Sequence, residues 1–178
     1  DKLIQTVDTL GTLLYGMTVD SKGTVFVAQT DARNDVNGRA GTKKHGLKEL
    51  GNRAFLNQVT KVRFYGGKAR KPEFLDLEPL PPQNPADGMA LATPFAVEVS
   101  GDDSTLFVSA AGSDKVFSMD AKSGKVMGRV KVGAVPRGIA LDPGKAGKPS
   151  RAWVLNAVDN SVSILDVSNP RSLRVVRT

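Results

Sequence analysis

Along most of this chain, apolar and polar residues alternate in short bursts, the period-two signature of half-buried strands. Val97, Val99, Phe107 and Val116 follow it. Turn-forming clusters close the bursts: Ser100-Gly101-Asp102-Asp103, Gly112-Ser113-Asp114 and Lys122-Ser123-Gly124. The pattern predicts strands over 94–100, 104–110, 114–120 and 125–132, paired antiparallel in chain order.

The whole set recurs. Pro94-Phe95-Ala96-Val97-Glu98-Val99-Ser100 aligns with Pro136-Arg137-Gly138-Ile139-Ala140-Leu141-Asp142, and Leu106-Phe107-Val108-Ser109 aligns with Ala152-Trp153-Val154-Leu155. Asp114-Lys115-Val116-Phe117-Ser118-Met119-Asp120 aligns with Asn160-Ser161-Val162-Ser163-Ile164-Leu165-Asp166. The offset is 42 at the prolines and 46 at the later strands, because residues 143–149 form a longer turn. Strands are therefore predicted over 136–142, 151–156, 160–167 and 172–177. A third copy lies upstream in Tyr15–Asp20, Gly23–Ala28 and Gln58–Val62. An insertion of 24 residues, 33–56, separates its second and third strands, and a strand-like lead, Lys2–Val7, precedes it.

Four short antiparallel strands recurring every ~40–50 residues is the spacing of a β-propeller blade. The predicted fold class is all-β, with about three four-stranded blades forming an incomplete ring. Blade 1 spans about 10–80 with the insertion at 33–56, blade 2 about 90–133 and blade 3 about 134–178. A ring takes ~4–8 blades. Both terminal blades are therefore expected to show an apolar face that needs cover from further blades, a second copy or another subunit.

Residues 94–132 and, apart from the long turn, 136–167 resemble the YVTN-type propeller repeat; residues 14–64 do so once the insertion is set aside. In addition, residues 135–141 and 154–163 resemble exported bacterial proteins whose blades precede a di-haem cytochrome c peroxidase-like region. These resemblances imply a periplasmic or extracellular, non-catalytic propeller segment that acts as a scaffold or binding module. The alternative they leave open is a part of a di-haem oxidoreductase whose haem sites lie outside this chain. A propeller lactonase or quinoprotein dehydrogenase needs a carboxylate-lined metal site or a cofactor cavity at the ring centre. The blades offer no convergent cluster of that kind.

Composition narrows the chemistry. The 178 residues include no cysteine, which excludes disulfides, thiolate zinc sites and a Cys-x-x-Cys-His haem attachment within them. No run approaches the ~20 apolar residues of a membrane-spanning helix. His45 is the only histidine, so a multi-histidine metal site and a Ser-His-Asp triad both have little support. No cofactor is expected within the chain. Asp31–Gly38 has calcium-loop composition, but Arg33 sits at a ligand position and Gly38 falls too late for an EF-hand.

The formal charge of +7 is concentrated in one segment. Residues 33–71 hold eleven bases against Asp35 and Glu49. Arg39, Lys43, Lys44, Lys48 and Arg53 in the insertion, with Arg137 at the start of blade 3, are the candidate residues for an anionic partner. Leu47, Leu50 and Phe55 interleave the bases and suggest a short helix around 46–55. Nucleic acid is not the expected partner, because aromatic platforms and a recognisable module are missing. Phe26, Phe107 and Trp153 occupy equivalent places and are read as inter-blade packing residues. Asp120 and Asp166 are read as strand-ending residues that bond turn amides.

Overall fold

A computed structural model describes residues 3–9, 11–33, 50–51 and 53–178. Its strands in chain order are β1 Leu13–Val19, β2 Val25–Asp31, β3 Leu56–Val62, β4 Phe64–Tyr65, β5 Lys68–Ala69, β6 Glu73–Asp76 and β7 Pro94–Val99. They continue with β8 Thr105–Ala110, β9 Lys115–Asp120, β10 Val126–Lys131, β11 Pro136–Leu141, β12 Arg151–Asn156, β13 Ser161–Asp166 and β14 Arg174–Arg177. One turn of 3-10 helix, Ala111–Ser113, joins β8 to β9.

Three four-stranded antiparallel sheets result, in the orders β1-β2-β3-β6, β7-β8-β9-β10 and β11-β12-β13-β14. Each is one blade, and blades 2 and 3 have their strands where the repeat places them. The first strands lie innermost, with β7 between β1 and β11. Gly16 permits this approach, since a Cβ there would stand 2.6 Å from the Phe95 carbonyl oxygen. Alternation along the pleat puts one face of each middle strand against the next blade. Phe26, Ala28 and Val59 of blade 1 meet Leu106, Val108, Phe117 and Met119 of blade 2 in one core. Phe107 and Val116 of blade 2 meet Ile139, Ala152, Val154 and Leu165 of blade 3 in the other.

Antiparallel connection fixes two ends. At the upper end the first strands begin and the second-to-third connections lie; at the lower end lie the first-to-second and third-to-fourth turns. The loop from β2 to β3, which holds the basic insertion, therefore leaves and returns at the upper end.

Three expectations change. Leu3–Thr9 form no strand. Leu56 belongs to β3, paired with Asp31, so it is not part of the insertion. Leu50–Gly51 is a turn and residues 53–55 are irregular, so no helix continues there, while 46–49 lie outside the described residues. The outward face of blade 1 shows the exposed apolar residues expected of a terminal blade, Leu14, Met17 and Val19 on β1. Its middle strands carry Gln29, Gln58 and Thr60, all buried. Gln29 Nε2 donates to Gln58 Oε1 at 3.0 Å and Gln58 Nε2 donates to Asp76 Oδ1 at 2.8 Å, while Gln29 Oε1 and Thr60 Oγ1 have no partner among the described residues. The N-terminal segment touches blade 1 twice: Gln5 Oε1 accepts from Ala69 N–H at 3.0 Å, and Gly11 lies against Gln29. A small hairpin, β4–β5, also departs from the four-strand plan.

Candidate functional site

The two closed seams between blades define what a completed interface needs. At the centre of each sits a phenylalanine, Phe26 and Phe107, each 1% exposed. Each pairs across its own sheet with a polar residue that reaches the next blade. Lys61 Nζ donates to Ala121 O at 2.7 Å and Lys122 O at 3.1 Å, in the turn between β9 and β10. Ser118 Oγ donates to Pro170 O, in the turn between β13 and β14. Burial, aided by the nearby Arg63 charge, lowers the Lys61 pKa from the usual lysine value.

The upper end has its own clasp. Thr93 and Val135, each preceding the proline that opens an inner strand, have φ of 54°. A β-branched residue with positive φ is strained. Each has its N–H held by the preceding blade: Thr93 by Asn57 Oδ1 at 3.0 Å, and Val135 by Asp114 Oδ1 at 2.9 Å. At the lower end Ser21 N–H donates to Asp103 Oδ1 at 2.9 Å, and Asp102 N–H donates to Gly147 O at 3.1 Å. The Ser21 hydroxyl and amide together hold the Asp103 carboxyl below the usual carboxylate range.

Blade 3 has no blade beyond it among the described residues. Trp153 stands in the place of Phe26 and Phe107 and is 39% exposed. Leu155 and Val162, paired across β12 and β13, are exposed beside it, and Ala140 flanks it on β11. Asn160 stands in the place of Asn57 and Asp114, with φ of 49° against 52° for Asp114. Its side chain makes no hydrogen bond among the described residues. Ile164 takes the place of Lys61 and Ser118, so the polar strut is not repeated.

The residues proposed for anion contact separate. Arg39, Lys43, Lys44 and Lys48 lie outside the described residues, as does His45. Arg53 is turned inward, with Nη2 2.7 Å from Glu78 Oε2 and side-chain exposures of 11% and 5%. Its Nη1 also donates to Pro79 O and Gln83 O, tying the loop that leads to blade 2. Arg137 is exposed at the upper end. Its guanidinium lies 5.2 Å over the Phe95 ring, which is 5.0 Å from the Tyr15 ring. These three are equivalent positions on β1, β7 and β11, so the inner strands carry an aromatic ladder ending in a cation.

Asp120 accepts from Ser123 N–H and Oγ, both at 2.7 Å, and Asp166 accepts from Ser168 N–H at 3.1 Å and Oγ at 2.6 Å. Both are turn residues. The Ser168 hydroxyl and Arg174 pull the Asp166 pKa down to about 2. Asp31 accepts from Arg33 N–H at 2.9 Å, an Asx turn. Among the described residues no three His, Asp or Glu side chains gather as a metal site, and no helix is long and apolar enough to cross a membrane.

Solved structures show the same arrangement of blades. The chain superposes on hydrazine synthase from Kuenenia stuttgartiensis with a TM-score of 0.67 at 16% identity, over 88% of this chain and 46% of that one. A functionally unknown protein from Desulfotomaculum acetoxidans DSM 771 matches with a TM-score of 0.54 at 14% identity, over 92% and 41%. A 6-phosphogluconolactonase-like protein from Bacteroides fragilis NCTC 9343 matches with a TM-score of 0.50 at 13% identity, over 92% and 53%. The fold is that of propeller blades in an unclosed ring. The chain spans about half the length of these solved chains or less. At such identity the likeness concerns fold alone. No protein-family model matches the chain, nor does any curated protein.

Proposed function

We propose that this chain is a non-catalytic propeller segment serving as a scaffold and binding module, which docks another sheet on the outward face of blade 3. The observation that carries this reading is Trp153, 39% exposed where its two repeat equivalents are 1% exposed. With Leu155, Val162 and Ala140 it leaves an apolar surface on the order of a few hundred Å² open to water, a size that marks interaction sites. Further blades, a second copy or another subunit would each satisfy it.

The upper end supports a second contact in the same role. Arg137 presents a stacked guanidinium there, and the basic insertion, with Arg39, Lys43, Lys44 and Lys48, joins the blade at the same end. An acidic partner fits this charge. The reading includes the YVTN-type assignment of the repeats and a periplasmic or extracellular setting. The di-haem oxidoreductase alternative rests on the sequence resemblance alone.

The docking role is tested by sedimentation velocity with Trp153 emission across a concentration series. Association with a concurrent blue shift supports docking at this face, and so does retention of a partner that protects Trp153 from quenching. If Trp153 is already shielded in a compact, dilute monomer, the proposal fails.

A further inference from the structure

Resting on that docking role, we propose that the occupant of the blade 3 face is a further blade of the same repeat, gripped at its first strand by Asn160. The face continues the pattern of the two seams already built. At each, the residue just before the third strand's alternating core positions, Asn57 or Asp114, takes the N–H of the strained residue that precedes the next inner strand. Asn160 holds the same place relative to the β12–β13 pairing as Asp114 does relative to β8–β9. It has the same left-handed backbone, and its amide oxygen is the same kind of acceptor.

The hydrophobic half of the seam is also repeated. Trp153 sits one blade on from Phe26 and Phe107. Gly138 is the equivalent of Gly16, whose missing side chain lets the next inner strand approach. The third element is absent, because Ile164 cannot donate to a turn carbonyl as Lys61 and Ser118 do. The occupant's outer turn is therefore expected to meet Ile164 with an apolar group. Asn57 serves its seam from within β3 without a positive φ, so what the two seams share is a side-chain oxygen at this place, and Asn160 supplies one.

The test appends a second copy of residues 133–178 after Thr178 of the full chain. This reproduces the 46-residue offset, so the N–H of the added Val135 equivalent falls opposite Asn160 as Val135 falls opposite Asp114. Trp153→Phe in the appended copy leaves native Trp153 as the only tryptophan, read by excitation on the red edge where tyrosine does not absorb. Docking is expected to shift its emission to the blue and to lower its acrylamide quenching constant severalfold at concentrations where the parent chain is monomeric. Asn160→Gly keeps the left-handed backbone and removes the acceptor. It should raise the opening equilibrium of the added blade, read by amide hydrogen exchange, about fivefold, the value of one ordinary hydrogen bond. Asn160→Asp should restore it.

A Trp153 that stays as quenchable as in the parent chain would overturn the further blade as occupant, while the docking role stands or falls on the concentration series of the parent chain. Protection that is indifferent to Asn160→Gly would leave the docking role standing and overturn the Asn160 grip. Equal protection of Trp153 in the parent chain by self-association at micromolar concentration would overturn the further blade in favour of a second copy.

Discussion

Replacing Phe26, Phe107 and Trp153 one at a time by alanine asks the same question of three equivalent places with different neighbours. Phe107 is 1% exposed between blades 2 and 3, against Ile139, Ala152, Val154 and Leu165. A phenylalanine buries ~200 Å², worth ~5 kcal/mol at ~25 cal/mol per Å². Measured Phe→Ala substitutions in cores cost ~3–5 kcal/mol once partial collapse of the cavity is included. At ~2–4 °C per kcal/mol for a domain of this size, Tm should fall by roughly 6–20 °C. Phe26→Ala should behave alike. Trp153→Ala removes contacts only within its own sheet and should cost about 1 kcal/mol in the isolated chain. The assay is urea and thermal unfolding at a concentration low enough to hold the monomer. Phe107→Leu serves as a milder substitute if the alanine variant does not fold. A Trp153→Ala cost equal to that of Phe107→Ala in dilute monomer would refute the reasoning, since it would mean that blade 3 already has cover.

Other outcomes follow from the same contacts. Arg53→Ala leaves the Glu78 carboxylate buried without its partner and should destabilise by about 3–5 kcal/mol, with Glu78→Gln in the same chain restoring part of it; equal unfolding midpoints for wild type and Arg53→Ala would contradict this. Deleting 34–49 and bridging with a Gly-containing linker should leave the blades folded and weaken binding to an acidic peptide, whereas a cut extending through Leu50 and Arg53 should unfold blade 1, as circular dichroism melts would show. Asp103, Asp120, Asp142 and Asp166 all have depressed carboxyl pKa values in the fold, Asp166 at about 2. Their stabilising contribution is therefore complete above the unfolded carboxyl value of ~3.9 and is lost as pH falls through the folded values. The urea midpoint should hold from pH 7 to about 5 and drop steeply below 4. Glu98 opposes that drop, because burial raises its pKa and its protonation favours the fold; Glu98→Gln should steepen the acid limb.

The strands of blades 2 and 3 were legible because alternation, turns and repeat offset agree at each position. Ser163, for example, aligns with Phe117, yet the pleat buries both. The charge pattern was less informative. It counts Arg53 among the free bases of the insertion, but Glu78 lies 25 residues away and only the fold brings the two together. Lys61 was counted as a base too, although it crosses a seam to two carbonyls. On the outward side of blade 1, Gln29 and Gln58 sit where alternation suggests apolar residues and hydrogen-bond each other, beside the exposed Leu14, Met17 and Val19. Asn160 was visible as the partner of Asp114 in the repeat, but its meaning depends on the N–H that Asp114 holds.

The most direct measurement of an unfilled seam is acrylamide quenching of Trp153 in the 178-residue chain, with sedimentation velocity on the same samples. The account predicts red-shifted, readily quenched emission from dilute monomer, becoming blue-shifted and protected only when the blade 3 face is occupied. A dilute, compact monomer whose tryptophan is as shielded as a core residue would contradict it.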